Sequence, residues 1–418
     1  MTINVDDVSE LLFSNTPAKL AETFIGGVTI CSSSKVVHGR GLVAKQDVSI
    51  GDCLFIFLPT VSAPIESVFR ICQGKSVEKV AETVLLKNMK RSLRSASKKQ
   101  AASFMILTTG EENYRGNNAI HNDKDILNFC LGESEPTEIW WDNSVPDNTL
   151  LGIMRHNAFG PDFHNYNHME ANPSWSAYQR ILGLYPLAAM INHSCQPNAV
   201  RVFSGEVMLV HACASIAKDE EIVWSYIPPT QSYITRQTLL REKFGFVCMC
   251  PRCTKESELG ITHEQLDSAL LPVSISNLQE NRANLEPWIH YLENKMTLFS
   301  NDLKHSLRTS YLSLYLNYIN ASLLHGSLHE KEILTLVMQL HLSLTVCHNA
   351  STEHLSILHL GYDLATNKTF WVQQLQRAHI ARYGSLGGDI SKMRQCFQHT
   401  KGILRTLDGF HSRRWHFL

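Results

Sequence analysis

Long apolar runs, net charge and an export signal are all missing from this chain, and each absence removes a class of function. The longest apolar stretch, ILGLYPLAAMI (181–191), holds 11 residues with a proline inside, too short to cross a bilayer. A formal net charge of −1 creates no global field toward nucleic acid or an acidic partner. The opening residues, MTINVDDVSE, are acidic and polar, unlike a secretory leader. Without export, the 11 cysteines read as reduced thiols, and an odd number cannot close a complete disulfide framework. These absences predict a protein of the cytoplasm and/or nucleus, off the membrane, with a monomer as the default. What is present is ordinary globular material: 418 residues, 44% hydrophobic, enough for two or three domains with buried cores.

Texture divides the chain. Residues 28–58 read as short strands, VTIC and CLFIF, separated by the turn material HGRG and SIGD. Helical spacing follows over 66–112 and includes KNMKRSLRSASKKQ, where Lys87, Arg91, Arg94 and Lys98 share one helix face. A basic run of this kind is most simply a solvated face. Residues 113–137 are polar and loop-like, and 138–154 are helical. Strands return over 157–227 in HNAFG, AVRVF, EVMLVHACASI and EEIVWSYI, and TRQTLLREKFGF is a short helix. From about 260 onward, apolar residues recur three and four apart, as in stacked helical hairpins, without a clean 34-residue repeat.

The strongest chemical signal is FVCMCPRC, which puts Cys248, Cys250 and Cys253 within six residues. Thiolates at this spacing can converge on one tetrahedral zinc, and a structural site closes with four ligands. Cys195, at a strand-to-turn junction in INHSCQPNA, is the candidate fourth. The competing reading is a chance cluster of buried thiols. Cys31, Cys53, Cys72, Cys130, Cys213, Cys347 and Cys396 are scattered and read as core. His164 and His168, in FHNYNH, have no third ligand near them in the sequence.

HGRGLVAKQDVSIGD, INHSCQPNA, EEIVWSYI and FGFVCMCPRC, in this order, resemble the pieces of a SET domain followed by a post-SET segment. GLYPLAAMINHSCQPNA, the long interval before it and the helical C-terminus narrow the resemblance to the SMYD (SET and MYND domain-containing) lysine methyltransferases. The match covers about 28–60 and 150–255 closely. It implies an α+β architecture: a split SET-domain β-fold with a pseudoknot and a helical insert, a post-SET zinc loop, then an all-α, TPR-like C-terminal domain. The expected boundaries are 1–60 for the N-terminal part of the SET domain, 61–150 for the insert, 151–247 for the SET core, 248–258 for the post-SET segment and 259–418 for the helical domain. One departure stands out. Only Cys72 and Cys130 lie in 60–150, with no C-x-x-C, so the family's MYND finger is expected to be missing.

The resemblance implies S-adenosyl-L-methionine as cofactor and a protein or peptide lysine, histone or non-histone, as substrate. A lysine amine with a pKa of about 10.4 must be desolvated, deprotonated and aimed at the methyl group. Tyr226 matches the family's catalytic tyrosine. His38, Gly39 and Arg40 match the contacts to the cofactor's amino-acid head, although most family members carry Lys or Arg in place of His38. Asn192 and His193 match its binding pair, Phe246 the aromatic on the adenine and Phe244 the neighbouring wall. Asn157 matches a residue near the methyl-transfer channel, and Ala189 a small residue facing the cofactor. In the pseudoknot the chain after Tyr226 threads under the segment holding Asn192, which also brings Cys195 to Cys248, Cys250 and Cys253.

Two other readings compete. A catalytically silent adaptor would use the zinc-tied core as a scaffold and the C-terminal helices to bind a protein partner. The plastid-type SET methyltransferases also have a helical C-terminus, but three post-SET cysteines suit the SMYD-like proteins better. No motif names a partner for the helices, and none supports specific nucleic-acid binding.

Overall fold

The computed structural model describes residues 11–12, 17–31, 40–64, 77–95, 107, 145–159, 181–258, 278–297, 299–325, 330–384 and 392. The sequence readings at His38, Gly39, Cys72, Lys98, Lys99, 113–137, Cys130, His164, His168 and Cys396 fall outside these residues. The described elements divide between two compact units. One comprises Met1–Asn192, Ala199–Val223 and Ile380–Leu418, and the other His193–Asn198 and Trp224–His379.

The first unit holds the sheets. Strands β1 (Phe24–Ile25), β2 (Val28–Cys31), β3 (Gly41–Ala44), β4 (Cys53–Phe57) and β5 (Val61–Pro64) come from the N-terminal segment. Strands β6 (Ala158–Phe159), β7 (Ile181–Leu184), β8 (Asn192–His193), β9 (Ala199–Ser204), β10 (Val207–Ala212) and β11 (Glu221–Trp224) follow. They form sheets in the orders β1-β4-β10-β9, β2-β3-β11-β8 and β5-β7-β6. VTIC alternates buried and half-buried residues, as a strand with one covered face should. VMLVHA, one of the two inner strands of its sheet, is buried at every position and so is covered on both faces. Its hairpin partner β9 faces it from Ala199↔Ala212 to Ser204↔Val207. Gly205, at φ 57°, takes the positive φ that a two-residue hairpin loop requires.

Helix α1 (Pro17–Leu20) is short. Helix α2 (Val77–Ser95) buries Ala81, Leu85, Met89 and Leu93, one residue every fourth position, and packs against β5 and α3 (Asp147–Asn157). Its opposite face exposes Lys87, Arg91 and Arg94, the solvated face anticipated for the basic run, while Lys90 pairs with Asp147. The strand read from about 157 begins at Ala158, because His156 and Asn157 close α3. Asn157 Nδ2 donates to the Ile153 carbonyl at 2.7 Å, and His156 Nδ1 bonds the Gly152 carbonyl at 2.9 Å. Both bonds reach back four residues and hold the last turn.

The second unit is helical: α4 (Tyr233–Phe244), α5 (Pro251–Ser257), α6 (Leu278–Met296), α7 (Asn301–Ser310), α8 (Leu312–His325), α9 (Glu330–Cys347), α10 (Thr352–Leu364) and most of α11 (Thr369–Tyr383). Helix α6 packs on α8, α7 on α9, and α9 on α10. Ser300 and Ser351 cap α7 and α10 by accepting backbone N–H bonds from Leu303 and His354. Among the described residues, no helix is long and apolar enough to cross a membrane.

Candidate functional site: a four-cysteine centre beside a tyrosine

Local rules deliver the cysteines. Helix α4 ends at Gly245, φ 77°, a left-handed cap that glycine adopts without strain. The chain then runs extended, so that Cys248 and Cys250 are buried while Val247 and Met249 face out. Gln237 on α4 pins this run, with Nε2 donating to the Cys248 carbonyl at 2.9 Å and Oε1 accepting its N–H at 3.0 Å. Pro251 opens α5 with Cys250 as its N-cap, the sulfur accepting the Cys253 N–H at 3.5 Å. One turn later, Cys253 is buried beside them.

Cys195 completes the set. Its sulfur lies 4.0 Å from Cys248 and 3.5 Å from Cys253, and the four sulfurs all fall within 4.8 Å of one another. A tetrahedron with Zn–S arms of about 2.3 Å has edges of about 3.8 Å, so the spacing suits zinc. Four sulfurs this close cannot all ionise unaided. Hydrogen bonds from Cys248, Cys250, Cys253 and His193 hold Cys195 well below the usual thiol range, and the same Cys195 sulfur pushes Cys253 up. A divalent cation removes that conflict by stabilising all four thiolates together.

The surroundings supply a second test of fit. Arg236, Arg252 and Glu256 are almost wholly buried. Glu256 accepts from Arg236 Nη2 at 2.5 Å and from Arg252 Nε at 2.9 Å. Burial works against the Arg236 guanidinium, but Glu256 and the cysteine sulfurs outweigh it and raise its pKa. Two buried guanidiniums share one carboxylate, a surplus of one positive charge that costs several kcal/mol unless an anion lies near. Zn²⁺ with four thiolates carries a formal charge of −2, which supplies that anion. Arg236 Nη2 lies 3.9 Å from Cys253 Sγ, and Arg252 Nη1 donates to the Cys195 carbonyl at 3.1 Å. Donor set and charge therefore both fit a structural zinc ion held by Cys195, Cys248, Cys250 and Cys253.

Two residues before Cys195, His193 joins this cluster to Tyr226. Its Nδ1 accepts the Tyr226 N–H at 2.9 Å, so the ring proton sits on Nε2, which donates to Cys195 Sγ at 3.2 Å. The His193 and Tyr226 rings are 5.2 Å apart. Phe244 lies 5.1 Å and Phe246 6.4 Å from the Tyr226 ring, and Phe246 lies 5.9 Å from His193. Tyr226, His193, Phe244 and Phe246, named from sequence as catalytic and cofactor-binding, thus form one aromatic cluster against the cysteines.

In the first unit, Asn192 is held by two donations from Nδ2, to the Arg40 carbonyl at 3.0 Å and to Glu221 Oε1 at 2.7 Å. Both amide hydrogens are committed, which fixes which way the amide faces. Arg40 itself is exposed. Asn157 is buried, with its amide committed within α3, and Ala189 packs on the core cluster around Leu150, Ile153 and Met154. Sequence reasoning missed Glu221, Arg236, Gln237, Arg252 and Glu256. A signal existed for two of them: Arg236 and Gln237 lie on the same buried face of α4 as Leu240, where apolar residues were expected.

Comparison with known proteins adds a family. The SET domain family matches residues 39–227. Over 90 residues the chain is 47% identical to "Histone-lysine N-methyltransferase ASHR1" of Arabidopsis thaliana, 22% of this chain and 18% of that protein. Over 89 residues it is 40% identical to human "Protein-lysine N-trimethyltransferase SMYD5" (20% and 21%), and over 88 residues 35% identical to mouse "Histone-lysine N-methyltransferase SMYD3" (20% and 21%). The matched regions span about a fifth of each relative's length. A solved structure titled "Crystal structure of the SET domain of LSMT bound to Lysine and AdoHcy" aligns over 92% of this chain and 90% of that one, at 13% identity and a TM-score of 0.29, too loose a likeness to bear on geometry. Residues 39–227 of this chain match the SET domain family, and SMYD-family proteins are among its relatives.

Proposed function

We propose that the chain is an S-adenosylmethionine-dependent protein-lysine N-methyltransferase acting on histone or non-histone lysines. The observation that carries this reading is the aromatic cluster around Tyr226 at the end of the SET match, its backbone tied to His193. When bound, the cofactor supplies a methyl group on a sulfonium. A neutral lysine amine would be the acceptor of that methyl group. Phe244 and Tyr226 would form an apolar wall that favours the uncharged amine, and the Tyr226 phenol would help to orient it. Arg40 pairs with the cofactor's carboxylate, assisted by His38 and Gly39, and Asn192 and His193 bind its head and body. Phe246 covers the adenine, Ala189 leaves room for the cofactor, and Asn157 borders the channel. Zinc would pin the post-SET loop carrying Phe246 as a lid.

The proposal extends to architecture and location. Residues 1–60, 61–150 and 151–247 build the split SET domain with its insert, 248–258 the post-SET segment and 259–418 a TPR-like domain. The enzyme acts in the cytoplasm and/or nucleus, without a MYND finger. The test is calorimetry with S-adenosylmethionine on wild type, Asn192→Ala and Tyr226→Phe, with zinc measured on the same samples. Micromolar binding lost in Asn192→Ala and kept in Tyr226→Phe, with methyl transfer to a histone or peptide mixture at least tenfold slower in Tyr226→Phe, is the expected result. Zinc present without cofactor binding in any of the three proteins would point instead to a silent adaptor.

A further inference from the structure

The buried ion group beside the cysteines does more than balance charge, because it reaches helix α7. Ser310, the last residue of α7, accepts from Arg236 Nη1 at 2.9 Å and from Arg252 Nη2 at 2.7 Å, and donates to Glu256 Oε1 at 3.0 Å. Arg252 Nη2 also donates to the Ser306 carbonyl at 3.2 Å, one turn earlier on α7. On their other side the two arginines hold the metal-binding loop, Arg236 toward Cys253 Sγ and Arg252 on the Cys195 carbonyl. One hydroxyl and two guanidiniums thus connect the end of a C-terminal helix to two ligands that lie 58 residues apart in the chain.

We propose that Arg236 and Arg252 are positioning residues of the four-cysteine centre, and that through Ser310 they make metal retention depend on the docking of α7. The physical reason has two parts. The fixed guanidinium charge offsets the −2 of a zinc–tetrathiolate group, where a neutral side chain would leave it uncompensated in a medium of low dielectric. The forked geometry also needs Ser310 as a shared acceptor; without it, guanidinium N–H groups are left unsatisfied and the arginines shift. A partner bound to the helical unit that moves α7 would then loosen the loop carrying Phe246. The inference rests on the metal reading and is independent of any activity.

The experiment is zinc release from the purified full chain into excess 4-(2-pyridylazo)resorcinol, followed by absorbance, beside melting temperatures for each protein. Partners of metal ligands typically set affinity by about 10- to 100-fold. Arg236→Met is therefore expected to release zinc at least about tenfold faster, Arg236→Lys to fall between it and wild type, and Ser310→Ala, which touches no sulfur, to be several-fold faster. Arg308→Met is the control: it lies on the same helix but bonds Glu293, and its release is expected to match wild type. Release at the wild-type rate from Arg236→Met overturns the proposal, and from Ser310→Ala alone it overturns the link to α7. Equal acceleration in Arg308→Met at a matched melting temperature shows general loosening and overturns both. Wild-type protein without zinc overturns the metal reading itself, a separate failure visible before any variant is compared.

Discussion

Glu256→Gln tests the buried ion group most directly. The carboxylate takes three bonds, from Arg236 at 2.5 Å, Arg252 at 2.9 Å and Ser310 at 3.0 Å, and its side chain is 0% exposed. A glutamine of the same shape can accept with one oxygen only, and turns its own N–H donors toward the second guanidinium. Two buried cations are then left facing each other without a carboxylate. Removing one member of a buried pair costs about 3–5 kcal/mol, a large share of a typical stability of about 5–15 kcal/mol. Urea unfolding followed by far-ultraviolet circular dichroism should report that loss as a lower midpoint with an unchanged slope. Lys255→Met provides the contrast. It breaks the Lys255–Asp302 pair at 2.5 Å, whose side chains are 44% and 63% exposed, and exposed pairs are worth about 0–1 kcal/mol. If Glu256→Gln cost no more than Lys255→Met, the picture of a desolvated, charge-balancing group would be wrong.

Two further predictions concern the helical unit. A β-carbon on Gly361 of α10 would fall 2.3 Å from the Trp371 ring, which is buried on α11; Gly361→Ala should therefore cost about 1–3 kcal/mol, outweighing a helix-propensity gain of about 1 kcal/mol, and a melting temperature equal to or above wild type would refute this packing. His354 accepts the Ala350 N–H on Nδ1 at 3.2 Å, so its Nε2 proton goes to His341 Nδ1 at 3.0 Å, and burial holds His341 down to about 4 and His354 well below its usual value. The unfolded histidines, near 6.5, bind more protons between these values, so this stability is present above pH of about 6.5 and drains away as pH falls toward 4, by about 3 kcal/mol for His341. Of the groups nearby, His348 and Glu353 lie 3.7 Å apart, and pairing between them strengthens only if His348 gains a proton. Urea midpoints at pH 7 and 4.5 should diverge less in His341→Gln than in wild type.

Much of this protein follows from its sequence by itself. The apolar alternation of VTIC, the four-residue spacing of Ala81, Leu85, Met89 and Leu93, and the capping serines Ser300 and Ser351 are local matters, settled by periodicity and by hydrogen bonds within one turn. The cysteine set was legible for a related reason. Cys248, Cys250 and Cys253 lie close enough that loop geometry alone gathers them, and only Cys195 had to be chosen among distant candidates. What the sequence leaves open is where a polar side chain goes once the chain has folded. Arg236 at least shares a helix face with Leu240, but nothing local marks Arg252, fully buried, apart from exposed neighbours such as Arg241. Glu256 looks like any helix-surface acid until two guanidiniums arrive from α4 and α5 and a serine from α7. Their worth depends on the low dielectric around them and on partners up to 74 residues away, and long-range desolvation of that kind exists only in the tertiary structure.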